Sequence, residues 1–438
     1  MTARCVKPNP IQPEFKQSWS NNVPHASRFQ RLNMTKSDLI IAGSGLSGLT
    51  LALECAGRPY FLDKKIILID RDDKSRNDRT WCFWAKDSEP LPPIEHKIWD
   101  NCQFFGKDLE KVLDIAPYRY HMIRGLDYYN WAKKELARHP NIQSVQANIL
   151  DMDAENGLVK TDAGDFQGEW VFNSARFNAD GQTHAVDGTR WKGPELPFPV
   201  SNPGSNHTFL LQHFKGFIIE SPTPVFNPES VTFMDYRIEQ YDETRFVYVL
   251  PFSATRALVE FTVFSPSLCP PEVYDTELSR YIKEILKIQD FSIEEEEFGV
   301  IPMTDLPLSP QGGRKVINIG TAGGFVKASS GYAFLRTQRK IRAFVDAWEE
   351  TGSPNPKVLQ SSRMFRAFDS IMLRVLRENL VPGKDFFSLL FKKLPAPLVL
   401  RFLDEDASFT DIFRVLNTPP TWPFLKTAIR QIPFILRS

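Results

Sequence analysis

The sequence predicts an α/β fold in which a βαβ unit at the front is followed by a mainly antiparallel sheet and then by a helical carboxy-terminal region. Three observations predict it. A glycine-rich turn, GSGLSG (43–48), joins an apolar strand pattern to a helix pattern. Alternating strand patterns recur between Thr208 and Phe264, separated by Pro and Asn turns. Beyond Pro354 the chain reads as helical, including the mixed stretch MFRAFDSIMLRVL.

The elements follow in order. Residues 1–35 are polar and rich in Pro, Asn and Ser without periodicity, so they are expected as a mobile extension, with Met34 an alternative start. Residues 36–195 read as a first domain. In it DLIIAG is a buried strand, LTLALECA continues the turn as a helix with Leu46, Leu49 and Ala52 on one face, and KIILID ends at Asp70. Together they make a βαβ unit of about 30 residues, the length such a crossover needs. An insert at 71–125 carries charges, the aromatic stretch RTWCFW (79–84) and a Pro-rich turn, and it is followed by a helix at 126–139 and by alternating strands to about Asn173. Residues 196–298 read as an antiparallel-sheet substrate domain, with FLLQHFKGFIIES and RALVEFTVFS among its strands. Residues 299–352 return to the first domain: KVINIG is a buried strand, and a helix through FLRTQRKIRAFVDAWEE places Phe334, Ile341, Val345 and Trp348 on one face. The last segment, 353–438, ends in KTAIRQIPFILRS, whose mixture of apolar and basic residues suits an element lying on a membrane surface.

Composition narrows the function. The 53 Lys and Arg are balanced by 53 Asp and Glu, which argues against a nucleic-acid partner, since neutralising phosphates needs a basic excess. No run of about 18 apolar residues occurs, so any membrane contact is expected to be peripheral. The amino terminus lacks the apolar core of a signal peptide, and the 5 cysteines are odd in number without CxxC spacing. A cytoplasmic, reducing compartment and no metal site are therefore expected, and the 7 His show no metal spacing either. The 34 Phe are many for this composition, which suits an extended core or a large apolar ligand.

Gly43, Gly45 and Gly48 form GxGxxG between strand and helix. The first allows a tight turn, the second lets backbone approach a pyrophosphate, and the third lets helix and strand pack closely. Asp70, at the end of the next strand, is placed to accept hydrogen bonds from ribose hydroxyls. Because a second strand and glycine-rich turn return near residue 320, the interrupted layout points to a Rossmann-type FAD-binding flavoprotein of the hydroxylase kind. Gly320, Thr321 and Gly331 are then expected at the cofactor, with a helix from near Gly331 aimed at the isoalloxazine ring.

The motifs RTWCFW (79–84), LLQHFKGF (210–217), PVFNPE with FMDYR (224–237), FVYVLPFSATRALVEFTVFSP (246–266), GVIPMTD (299–305), INIGTAGG with SSGYAF (317–334) and RFLDEDASF (401–409) together resemble the bacterial lycopene cyclase family. The resemblance runs from about residue 36 to about 425. It implies closure of the ψ ends of lycopene into β-ionone rings, giving β-carotene by way of γ-carotene. It also implies reduced FAD maintained by NAD(P)H or another donor, no net redox change, and a peripheral, membrane-associated protein working beside other carotenoid-pathway enzymes.

The family's acidic motif, approximately Phe-Leu-Glu-Glu-Thr, aligns with residues 258–262, so that Glu260 matches its first acid and Phe261 replaces its second. Glu260 also stands out by itself: inside the apolar strand LVEFTVF, desolvation favours its neutral form, which suits an acid that must protonate an alkene. An outward-facing Glu on an alternating strand is the bland alternative. Arg79, Trp81, Phe83 and Trp84 are candidates to line the flavin or the carotenoid, with core packing the alternative; Phe261 is a candidate for the substrate wall. Asp305 lies beside the flavin or caps a turn. A monooxygenase or prenyl reductase of the same fold is the enzymatic rival, although the Gly-Asp element usual there reads Gly320-Thr321. A non-catalytic isoprenoid escort is the rival from another class.

Overall fold

The computed structural model describes residues 34–175 and 207–435, so most of the extension and the boundary expected at 195 lie outside the described residues. The front of the chain forms β1 (Thr35–Ala42), α1 (Leu46–Ala56) and β2 (Ile66–Asp70). β1 and β2 pair in parallel from Leu39 opposite Ile66, and the run 39–42 is wholly buried, as expected of a sheet covered on both faces.

The insert then contributes β3 (Thr80–Lys86), β4 (Lys97–Trp99), β5 (Asn101–Gly106), β6 (Leu109–Asp114) and β7 (Tyr118–Arg124). After α2 (Gly125–Leu136) come β8 (Ile142–Gln146), β9 (Ile149–Asp153), β10 (Leu158–Thr161) and β11 (Gly164–Asn173). The first sheet runs β8-β2-β1-β11-β10-β9, and a short strand at Val316–Asn318 pairs in parallel with β11. The insert divides between two sheets. β3, β7 and β4 make a small antiparallel sheet, whereas the β5–β6 hairpin leaves it to extend the second large sheet.

That second sheet is built from β12 (Phe209–Glu220), β13 (Ser230–Asp235), β14 (Thr244–Pro251), β15 (Arg256–Ser265) and, after α3 (Pro271–Arg280), β16 (Ser292–Thr304). Its order is β16-β12-β15-β14-β13-β5-β6, antiparallel except where β5 joins β13 in parallel. The division expected at 298 falls inside β16, which pairs with β12 from Ser292 to Thr304. Pro302 is tolerated there because β16 is an edge strand. One face of the sheet packs on α3 through Val259, Phe261, Val263, Tyr274 and Leu278.

The strand at 316–318, here β17, leads to α4 (Phe334–Thr351), which begins three residues beyond Gly331 and packs on α1 with Phe334, Ile341, Val345 and Trp348 buried. Five helices complete the chain: α5 (Arg363–Arg377), α6 (Gly383–Lys393), α7 (Ala396–Leu403), α8 (Phe409–Leu416) and α9 (Thr421–Ile435). Phe387 and Phe391 of α6 pack against Phe104 and Tyr236 of the second sheet. A buried ammonium ties this region to the loop before α4, because Nζ of Lys327 lies 2.5 Å from Oδ1 of Asp369 and 3.1 Å from Oε1 of Glu405, which also meets Arg336 at 2.8 Å.

Candidate active site

The glycine turn and Glu260 line one continuous cavity of about 820 Å³. At its first end Gly43 has φ +100°, a conformation in which a side chain is strained, and a Cβ there would lie 2.5 Å from Oγ of Ser174. A Cβ on Gly48 would overlap the carbonyl of Gly43, so helix and strand meet backbone to backbone. Gly45 differs: a Cβ there would meet no protein atom within 4 Å, because the turn faces the open cavity. Asp70 holds the turn by accepting from the Ser44 N–H at 2.6 Å and the Ser44 hydroxyl at 3.0 Å, with the Lys74 ammonium 3.7 Å away. The first turn of α1 carries no acid and no side-chain cap, and the same is true of α4, whose Phe334 and Thr337 reach the cavity. Two helix amino ends, with unpaired N–H groups and positive dipole ends, therefore converge on this space. Gly320 and Gly331, at φ +63° and +75°, and Thr321 complete this part of the wall.

At the other end the second sheet presents a row of residues across four strands. Tyr248 of β14 stands opposite Glu260 of β15, Glu260 opposite Gly216 of β12, and Gly216 opposite Glu297 of β16. Tyr248, Glu260 and Glu297 all line the cavity. Burial first, and then the like charge of Glu297, push the Glu260 carboxyl well above the usual carboxylate range. Burial also raises Glu297, partly offset by the hydroxyl of Thr80, which donates to its Oε2 at 2.7 Å. Thr262 donates to Oε1 of Glu260 at 2.9 Å. The arrangement favours the neutral, proton-bearing form of the Glu260 carboxyl, beside the aromatic rings of Trp81, Tyr120, Tyr248 and Tyr332.

The structure thus brings Gly43, Gly45, Asp70, Gly320, Thr321, Gly331, Arg79, Trp81 and Glu260 to one cavity, with Gly48 packed behind the turn. Four other candidates lie elsewhere. Phe83 stacks on His121 and Phe334 in the core between α1, α2 and α4. Trp84 is buried against Phe233 and Tyr332, behind the wall. Phe261 points to the opposite face of the sheet from Glu260, as alternation along a strand requires, and packs on Tyr274. Asp305 takes neither expected role: it ties the end of β16 to the start of β12 and to α5, accepting from the Thr208 N–H at 2.6 Å and from the Ser370 hydroxyl at 2.5 Å. Sequence reading missed Glu297, hidden in the acidic run 294–297, and the tyrosines at 120, 248 and 332.

Residues 38–429 match the family described as lycopene cyclase protein. The chain belongs to the lycopene cyclase family. A lycopene beta-cyclase of Paracoccus sp. is 25% identical over 421 residues, which is 90% of this chain and 97% of that relative. Among solved structures, a geranylgeranyl bacteriochlorophyll reductase-like protein of Thermoplasma acidophilum has a TM-score of 0.53 at 12% identity, covering 92% of this chain and 100% of that one. A flavin-dependent brominase has a TM-score of 0.52 at 12% identity, covering 87% and 98%. These neighbours establish the fold alone, a Rossmann-type α/β architecture shared with a flavin-dependent brominase, and the chain carries a helical carboxy-terminal region.

The two glycines of this lycopene cyclase family member that differ in surroundings should differ in mutational cost. Gly48→Ala should lower stability by about 3 kcal/mol, because its methyl group has backbone rather than a movable side chain in its place. Gly45→Ala should leave the denaturation midpoint unchanged; equal losses in a urea titration of both variants would contradict this account of the turn.

Proposed function

We propose that the protein is a lycopene β-cyclase that closes ψ ends to β-ionone rings by acid–base chemistry, without net electron transfer. The observation that carries this reading is the Glu260 carboxyl, pushed toward its neutral form by burial and by Glu297, in the same cavity as the glycine turn. The cavity suits FAD: Gly45 leaves room for a pyrophosphate at the α1 amino end, Asp70 would meet the ribose hydroxyls, and Gly320, Thr321, Gly331 and the α4 amino end remain for the ring. Reduced FAD, maintained by NAD(P)H or another donor, would supply a negative field that favours a cation in a space shielded from water.

The remaining steps belong to side chains of the protein. Glu260 donates its proton to C2 of the terminal C1=C2 bond, leaving a tertiary cation at C1. The faces of Trp81, Tyr120, Tyr248 and Tyr332 stabilise that cation, while Phe214, Leu250 and Leu258 keep water from trapping it. Attack by C5=C6 closes the ring, and Glu260, now a carboxylate, takes the proton from C6. Substrate and product are isomers, so no reductant is consumed. Because the acid form of Glu260 is required and its pKa is raised, cyclisation should persist through neutral pH and fall as pH rises through that raised value.

Expression in a lycopene-accumulating host tests the reading, with β-carotene identified by chromatography as the expected product. Glu260→Gln should retain bound FAD yet lose cyclisation by about 100-fold or more, and wild-type product formed in D2O should carry deuterium at C2. Gly45→Val should fold but lack the flavin absorption spectrum. Steady NAD(P)H oxidation matched to each ring would instead support a reductase or monooxygenase, and unchanged lycopene held by flavin-loaded protein would support an escort.

A membrane-dissolved substrate also needs a surface to enter from. None of the described helices is long and apolar enough to cross a membrane. α8 and α9 nevertheless expose Phe409 (84%), Phe413 (70%), Trp422 (70%) and Ile429 (59%), with Arg414, Lys426 and Arg430 exposed on the same helices. Apolar residues flanked by cations suit an anionic bilayer, where Trp sits well at the interface. Replacing Phe413 and Trp422 together by Ser should move protein from anionic vesicles to the supernatant on sedimentation; unchanged binding would remove this surface from the account.

A further inference from the structure

The sheet wall of the cavity sets two carboxyl groups, Glu260 and Glu297, on either side of Gly216, where one acid would deliver a proton. Four consecutive glutamates, 294–297, lie on β16, and three of them meet cations: Glu294 with Arg256 at 2.6 Å, Glu295 with Arg124 at 2.7 Å and Glu296 with Lys215 at 3.0 Å. Among the described residues Glu297 forms no ion pair; it lines the cavity, and its buried Oε1 meets no hydroxyl or N–H donor, the Glu260 carboxyl being the other hydrogen-bonding neighbour of its side chain. Strands two apart in a sheet are separated by about 10 Å, a gap that two Glu side chains span only if nothing stands between them. Gly216 provides that gap. A Cβ there would lie 3.0 Å from Cγ and 3.3 Å from Oε1 of Glu297 and 2.8 Å from Cδ1 of Leu258.

Each acid accepts from a hydroxyl that favours its ionised form, but only Glu297 also feels a nearby cation, Arg124, whereas the charge of Glu297 favours the neutral form of Glu260. Thr80 donates to Oε2 of Glu297, which favours its ionised form and leaves Oε1 as an acceptor. Thr262 occupies Oε1 of Glu260, so the second oxygen of Glu260 is the one free to carry a proton. We propose that Glu297 is a positioning residue for the cyclisation: an ionised partner that accepts a hydrogen bond from protonated Glu260 across Gly216, so that the pair holds one proton before and after each turnover. This inference rests on the cyclase reading. When Glu260 protonates C2, the pair changes from one negative charge to two while the substrate gains one positive charge, so total charge is unchanged. The second negative charge stabilises the cation and makes the pair a stronger base, and removal of the C6 proton returns the pair to its single-proton state.

The test uses full-length, flavin-loaded protein and two readouts. Infrared titration follows the carboxylic-acid carbonyl band without substrate, and the pH profile of β-carotene formation follows turnover. In wild type the band should persist at neutral pH and be missing in Glu260→Gln. In Glu297→Gln it should be lost at least about one pH unit lower, since the like charge that sustains it is gone. Cyclisation should fall about tenfold or more, with its alkaline limb displaced the same way and the KM for lycopene unchanged, whereas Glu297→Asp, which keeps the charge, should recover part of both. Gly216→Ala, which separates the carboxyls while keeping both, should shift the band in the same direction, and it serves if Glu297→Gln does not fold. A wild-type band and pH profile in either variant would overturn the pairing. Absence of β-carotene from wild type would overturn the cyclase reading alone, because the infrared titration does not depend on it.

Discussion

Two neighbouring carboxyl groups withdrawn from bulk solvent, Glu260 and Glu297, cannot both be ionised without a large cost, and the architecture around them answers that constraint. Glu260 and Glu297 come from strands that do not touch, and a glycine on the strand between them leaves the space in which they meet. Burial alone would raise either pKa; the like charge raises Glu260 further, while the Thr80 hydroxyl draws the charge toward Glu297. Thr80 belongs to β3, in the insert of the first domain, so the protonation state of the sheet residue depends on how that insert lies over it.

The same dependence runs through the rest of the cavity. Its wall is assembled from the glycine turn, the insert strands β3 and β7, four strands of the second sheet and the loop before α4. These segments meet because the chain passes repeatedly between the two large sheets: the β5–β6 hairpin joins β13, β8 to β11 return to the first sheet, β12 to β16 build the second, and β17 comes back to β11. The loop before α4 is held from behind by Lys327, whose buried ammonium is shared by Asp369 of α5 and Glu405 beyond α7. The carboxy-terminal helices therefore brace the cavity as well as presenting an apolar, basic-flanked surface. The cavity is polar near Ser44 and Asp70 and aromatic near Tyr120, Tyr248 and Tyr332, so one end suits a charged cofactor and the other an apolar chain.

Local patterns carried much of this in the sequence. The βαβ unit was legible because strand, turn and helix are contiguous, and Gly48 answers to a contact within the unit, the carbonyl of Gly43. α4 was legible from its apolar face, although its start lies beyond Gly331 because Tyr332 and Ala333 belong to the loop that lines the cavity. Glu260 was legible because a carboxyl in an apolar strand is costly unless it has a function. Phe261 could have been excluded from the wall by the same strand, since neighbours on a strand face opposite ways.

What the sequence determined by itself was the family, the phosphate-binding turn and one acid, all written in short contiguous motifs. What only the tertiary structure decided was which aromatic residues form wall and which form core, and which glutamate of the run 294–297 turns inward. Trp81 and Trp84 lie in one strand, yet only the first reaches the cavity, because exposure depends on the elements packed over each position. An acidic run reads as a solvated face until pairing register is known. The register of β16 on β12 sets Glu297 opposite Gly216, and that pairing joins residues more than eighty positions apart, beyond the reach of any local pattern.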